Sequence, residues 1–438
     1  MKKKLAAVLS AVVVIALLAG CSGGGNSEAA KEKSGGADSA KNVKLQFFTG
    51  KVETIDLMNE LIAKFHEENP NIEVEQEYQK DASNVFKVKL ASGDVPDITT
   101  VVTQEYVDQG KYLDLSGEAY WSRVLPAIKD LTTDVKSGKQ FKVATNVSMG
   151  GIFYNKALFE ELGLKPAATW EEFVDQLQTI QEKKPDVVPL FIAGKESWTL
   201  GQLIEFVGHG PVKQQLGVIP AKKAFINNDS AQLKFDEQGG AMDTFARRLL
   251  ELRDKKLVNS DLVTATYDNQ KQAFVDGKAA LIIQGMWVMG DLFKMKPEFT
   301  DNIGFTVIPS VVDGLKPTVL SAEDSAYAIT AESKHPEEAK KFLDFLLRPE
   351  NLKIYSETLK SPAAFTDVDA DWGPLKDQAA EALRQGANIA FTDWPSGFSG
   401  DDAGRMVQEL MVGKYDNSHD FAVDFKKAWD KAWDANNR

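Results

Sequence analysis

Few side chains in this 438-residue chain have types and spacing that could do chemistry. There is one cysteine, Cys21, and there are four histidines, His66, His209, His335 and His419, none at metal-ligand spacing from another. No HExxH, CxxC, GxSxG or Walker loop occurs, and the glycine-rich SGGGNS at 22–27 follows an apolar leader instead of a strand. No metal and no cofactor is therefore expected. Acids are abundant, 64 Asp and Glu, and paired carboxylates need no linear motif, so a glycosidase stays open on the residues alone. The other resource is flat rings. Trp287 follows the strand-like AALIIQ and a turn at Gly285; Trp394 sits among glycines and a proline in NIAFTDWPSGF, on no helical stripe. Trp170, Trp429 and Trp433 fall on apolar helix faces and are assigned to the core, while Trp121 and Trp372 stay undecided.

The elements that must position these residues begin after an unusual front end. MKKK is basic, Leu5 to Leu18 is almost wholly apolar, and small residues follow, which is the layout of a secretory signal peptide. The apolar run falls short of a membrane span of roughly 20 residues. Leu18-Ala19-Gly20-Cys21 resembles the lipobox of bacterial lipoproteins. That resemblance implies cleavage after residue 20, a lipid such as palmitate on Cys21, and a second acyl signal for stable anchoring. Residues 21–42 then read as the lipidated cysteine and a flexible tether, since they carry no large apolar side chain before Val43. The remainder is too long for one core and suggests two domains. Composition is that of a globular chain, 43% hydrophobic and 26% charged. With a net charge of −13, a nucleic-acid partner is disfavoured.

Val43, Leu45 and Phe47 alternate as a strand. Ile55, Met58, Leu61, Ile62 and Phe65 form a helical stripe that Pro70 stops. NIEVEQEY alternates again, and VFKVKLASGDVPDITTVV reads as helix, turn and buried strand, a βαβαβ rhythm with parallel strands. Thr169 and Glu172 form a capping box before the stripe Trp170, Phe173, Val174, Leu177 and Ile180. Pro336 opens a helix, and Phe421, Phe425, Trp429 and Trp433 line a terminal one.

Six stretches, ASGDVPDI, GIFYNKALFEELGL, TWEEF, GKAALIIQGMW, GFTVIPS and SKHPEEAKKFLDFLL, run in that order from Ala91 to Leu347. Together they resemble the extracellular solute-binding proteins, family 1, of ABC importers, the group of maltose- and oligosaccharide-binding proteins. The resemblance implies an α/β, two-lobed periplasmic-binding-protein-like fold of type II, with a hinge and a ligand cleft between lobes. It places residues 43–147 plus 325–360 in the N-terminal lobe and 148–320 plus 361–438 in the C-terminal lobe. It further implies a monomeric carbohydrate receptor without catalysis, held on the extracellular face of the membrane and serving ABC permease subunits. The alternatives are a cell-surface glycosidase and a receptor for a polyamine, iron or an amino-acid-like acid.

A saccharide offers apolar C–H faces and an equator of hydroxyls, so its site needs rings and planar polar groups. The resemblance points to Trp287 and Trp394 as stacking rings, and more loosely to Trp198 at a helix entry. At strand ends of the first lobe it points to Phe48 and Lys51, and to Gln104 and Glu105. Glu323 and Asp324 between lobes form a plausible hydroxyl clamp, with Asp81 and Asn84 as weaker candidates. Asp97 is expected to fix a turn, and Tyr154 and Asn155 to brace the hinge.

Overall fold

The computed structural model describes residues 42–395 and 397–437. The leader, Cys21 and the tether lie outside the described residues. The chain opens as the alternation predicts, with β1 (Val43–Thr49), a helix over Ile55–Glu68, and β2 (Ile72–Tyr78) parallel to β1. A helix over Ala82–Ser92 ends at Gly93, whose φ of 77° closes the last turn in the left-handed region. The short β3 (Ile98–Thr99) then joins β1 in parallel on its other side. Both faces of β1 are covered. Phe47 packs against Tyr327 at 5.7 Å between ring centroids, and its neighbour Phe48 stacks on Phe86 at 5.8 Å. Asp97 ties β1 to a later loop, accepting from the Gln46 backbone at 2.9 Å and from the Ser333 hydroxyl at 2.5 Å.

The second strand group contains β5 (Val188–Leu190), β6 (Ala279–Gly285), β7 (Ile303–Thr306) and β9 (Ala387–Ile389). The predicted capping box forms, with Thr169 and Glu172 satisfying each other's backbone N–H at the start of the Trp170–Lys183 helix. Pro336 does open its helix. The terminal helix, Ser418–Asn437, buries Phe421, Phe425 and Trp429 completely.

Two long strands join the groups. β4 (Val143–Asn155) pairs with β8 (Thr318–Ile329) over its first half, then with β6 and β7 over its second. β8 continues until Ala328 and Ile329 pair with β3. The strand order is β2-β1-β3-β8-β4-β6-β5, with β7 on β4 and β9 on β8. Midway along β8, Ser325 has φ 45°, a left-handed conformation inside a strand that costs about 1–3 kcal/mol. A third passage of chain crosses here: the Val147 N–H donates to the Pro362 carbonyl at 2.8 Å and the Ala364 N–H to that of Thr145 at 3.1 Å. Asn146 donates to Ser361 Oγ at 2.8 Å. Tyr154 and Asn155 lie at the far end of β4 from this crossing. Asn155 caps the next helix, accepting from the Leu158 N–H at 3.0 Å, instead of bracing a hinge. No helix among the described residues is long and apolar enough to cross a membrane.

Candidate functional site

Two glycines face each other across the central pair of strands, Gly150 of β4 and Gly285 of β6. A Cβ on Gly150 would lie 2.8 Å from the Phe206 ring, and one on Gly285 would lie 2.0 Å from the Trp287 ring. The absence of side chains therefore makes a floor on which two rings rest. Trp287 is delivered by the turn Met286–Val288 directly after β6 and is 8% exposed. Phe391, just after β9, stacks on it at 6.2 Å and 30°, and Phe206 lies 6.4 Å from both. Trp198 is half-buried and meets Tyr267 edge-on at 5.0 Å; Lys271 Nζ stands 4.3 Å above the Tyr267 ring.

Charged groups gather where β4 and β8 cross. Lys51 pairs with Asp324, whose Oδ1 also accepts from the Ser325 N–H at 2.7 Å and whose Oδ2 is buried without a partner. Lys142 pairs with Glu323 at 2.8 Å. Burial opposes the Glu323 charge, but Lys142 and Lys222 outweigh it and hold the carboxyl below its usual range. Burial pushes Asp393 up, with the same two lysines pulling the other way. Burial also raises Glu53 against the pull of Lys51, and it keeps the Tyr267 phenol neutral. Contacts that join the strand groups directly include Lys80 with Glu196 at 2.9 Å, and Lys222 donating to the Leu131 and Thr133 carbonyls. Beside the second contact a cavity of about 60 Å³ is lined by Gln104, Asp134 and Lys142 from one side and Lys222 and Asp393 from the other.

The expected site residues thus separate. Trp287, Lys51, Glu323, Asp324 and Gln104 border the crossing or its cavity, and Trp198 lies on the same helix as Phe206. Phe48 requires a correction: it is fully buried against Phe86, because a parallel strand covered on both faces sends consecutive side chains into two cores. Trp394 joins a different cluster. Its indole N–H donates to Glu205 at 2.7 Å, and its ring packs on His209 and Trp429. Asp81 and Asn84 are exposed and bond each other at 3.0 Å, and Glu105 accepts from Gln109 at 3.3 Å outside the cavity lining. Phe206, Phe391, Lys142 and Lys222 were not singled out from the sequence. The ring of Phe206 reads as one more position on an apolar helix, and Phe391 stands three residues before the more conspicuous Trp394.

Aromatic rings and lysine-paired carboxylates are the groups that grip a ligand with apolar faces and hydroxyl edges. Residues 51–353 match the family described as bacterial extracellular solute-binding protein. The chain is 30% identical over 375 residues to the multiple sugar-binding protein of Streptococcus mutans, covering 82% of this chain and 83% of that one. It is 27% identical over 344 residues, 78% of each chain, to the melibiose/raffinose/stachyose-binding protein MelE of Bacillus subtilis. Among solved structures, RafE in complex with raffinose matches with a TM-score of 0.76 at 26% identity, covering 89% of this chain and 100% of that one. The apo form of RafE from Streptococcus pneumoniae matches at a TM-score of 0.67 and 25% identity, covering 90% and 99%. The chain belongs to the bacterial extracellular solute-binding proteins, and its mixed α/β fold is that of their type II members.

Proposed function

We propose that this protein is the substrate-binding component of an ABC importer and takes a carbohydrate, an oligosaccharide, between two lobes. The observation that carries the reading is the ring wall of Phe206, Trp287 and Phe391 on the Gly150–Gly285 floor, with the Lys51–Asp324 and Lys142–Glu323 pairs further along the same β4–β8 ladder. Relatives that bind multiple sugars, melibiose, raffinose and stachyose support it. The lobes divide at the crossing of β4 and β8, near residues 147 and 325, with the third passage at Ser361–Ala364. The Lys80–Glu196 contact supports a closed arrangement of these lobes. A ligand that touches both lobes favours closure by its differential affinity for that state and by no more.

The relatives are binding proteins, and both carboxylates at the crossing are paired with lysines, which suits hydroxyl acceptors better than an acid catalyst. The protein delivers its cargo to permease subunits from the extracellular face, anchored by lipid on Cys21. A thermal-shift screen over mono- and oligosaccharides, with raffinose, melibiose and stachyose included, tests the binding. Saturable stabilisation by an oligosaccharide is expected. No shift with any saccharide, or reducing sugar released from one, contradicts the reading. For the anchor, Cys21→Ala abolishes palmitate labelling and membrane retention; a retained mutant refutes it.

A further inference from the structure

Gln202 is 6% exposed, and neither its Nε2 nor its Oε1 has a hydrogen-bond partner. It lies one helical turn after Trp198, and Phe206 of the ring wall stands four residues further along the chain. Its helix is not free to turn toward another partner. A Cβ on Gly201 would lie 2.0 Å from the Gly400 carbonyl oxygen, and one on Gly404 would lie 1.8 Å from that of Ser197, so the two backbones are in contact. Directly after it, Ile204–Gly208 winds as a π-helix, a local departure that recurs at functional sites.

A buried primary amide with its donor and acceptor both unused is costly. It is well suited to one partner: a pair of adjacent hydroxyls, one accepting and one donating, on a ring stacked against the aromatics. We propose that Gln202 is a specificity-determining residue of the carbohydrate site, reading a vicinal diol of the sugar that packs on Phe206, Trp287 and Phe391. This rests on the carbohydrate reading and extends it to neutral saccharides with two free adjacent hydroxyls at that position.

The test uses the full chain, with raffinose as probe, or the best binder of the saccharide screen if raffinose is weaker. Gln202→Met keeps the shape and removes both polar atoms; Gln202→Glu keeps an acceptor only. The proposal expects affinity to fall at least tenfold in Gln202→Met and less in Gln202→Glu, while the ligand-free melting temperature of Gln202→Met stays level or rises, because an unpaired polar group has been removed. Unchanged affinity in Gln202→Met overturns it. So does a lowered ligand-free melting temperature in both variants, which marks a structural amide. If the wild type binds no saccharide at all, the underlying carbohydrate reading falls first. If the wild type binds and both variants bind equally well, only the role of Gln202 falls.

Discussion

Replacing Gly285 with alanine probes the floor of the site with one carbon atom. The new Cβ would lie 2.0, 2.2 and 2.3 Å from three carbons of the Trp287 six-membered ring. Carbon–carbon contact requires about 3.5–4.0 Å, so the ring must retreat by well over an ångström. Phe206 and Phe391 flank it at 6.4 and 6.2 Å between centroids, and the ring is 8% exposed, so there is little room to retreat. Overpacking of this kind costs about 1–3 kcal/mol. Trp287→Ala alone removes the ring and costs about 3–5 kcal/mol if the site cannot collapse. The two effects share one cause, so the double variant should be no less stable than Trp287→Ala alone. The cycle, read by urea denaturation, then shows a favourable coupling of about the full Gly285→Ala penalty. Saccharide affinity of Gly285→Ala should fall toward that of Trp287→Ala. Additive destabilisation, or wild-type stability and affinity in Gly285→Ala, refutes the placement of the indole on that glycine.

Three further outcomes are expected. Burial raises the Glu205 carboxyl above its ordinary 4.5, with Lys213 and the Trp394 N–H acting the other way. A raised folded value means that the native state holds the proton more tightly, so the stability from this group is full below pH 4.5 and is lost as pH rises toward neutrality. Glu205→Gln should flatten that fall in melting temperature; an identical pH profile in both proteins contradicts it. Lys142→Met removes the cation that pairs with Glu323 at 2.8 Å and leaves only Lys222 acting on that carboxylate, so it should destabilise the chain in chemical denaturation by up to about 3 kcal/mol, and Lys142→Met/Glu323→Leu should recover most of the loss. Lys80, 73% exposed, pairs with Glu196 across the strand groups, and Lys80→Ala should change saccharide affinity by less than about fivefold, since exposed pairs contribute about 0–1 kcal/mol; a larger change by calorimetry would show that this contact dominates closure.

What was legible in the sequence was local or periodic. The Thr169–Glu172 box, the Pro336 helix start and the terminal aromatic stripe each involve residues a turn or two apart, where sequence spacing is spatial spacing. Gly285 followed by Trp287 was legible for the same reason. Phe48 was misplaced because alternation assumes one solvated face, whereas β1 is covered on both. Trp394 stands apart from Trp287 because Glu205, 189 positions away, takes its indole N–H. Nothing near Trp394 in sequence signals that partner. Gln202 hides in the same way, as an amide on a helix that reads as apolar until its burial without a partner is seen.

The central claim is that a saccharide stacks on Trp287 and is held from both sides of the β4–β8 crossing. A crystal structure of the complex with the tightest saccharide of the screen tests it most directly. A sugar ring is expected to lie flat against the Trp287–Phe391 wall, with hydroxyls within about 3.2 Å of polar atoms from both strand groups. A saccharide bound away from that wall, or held by one strand group alone, contradicts it.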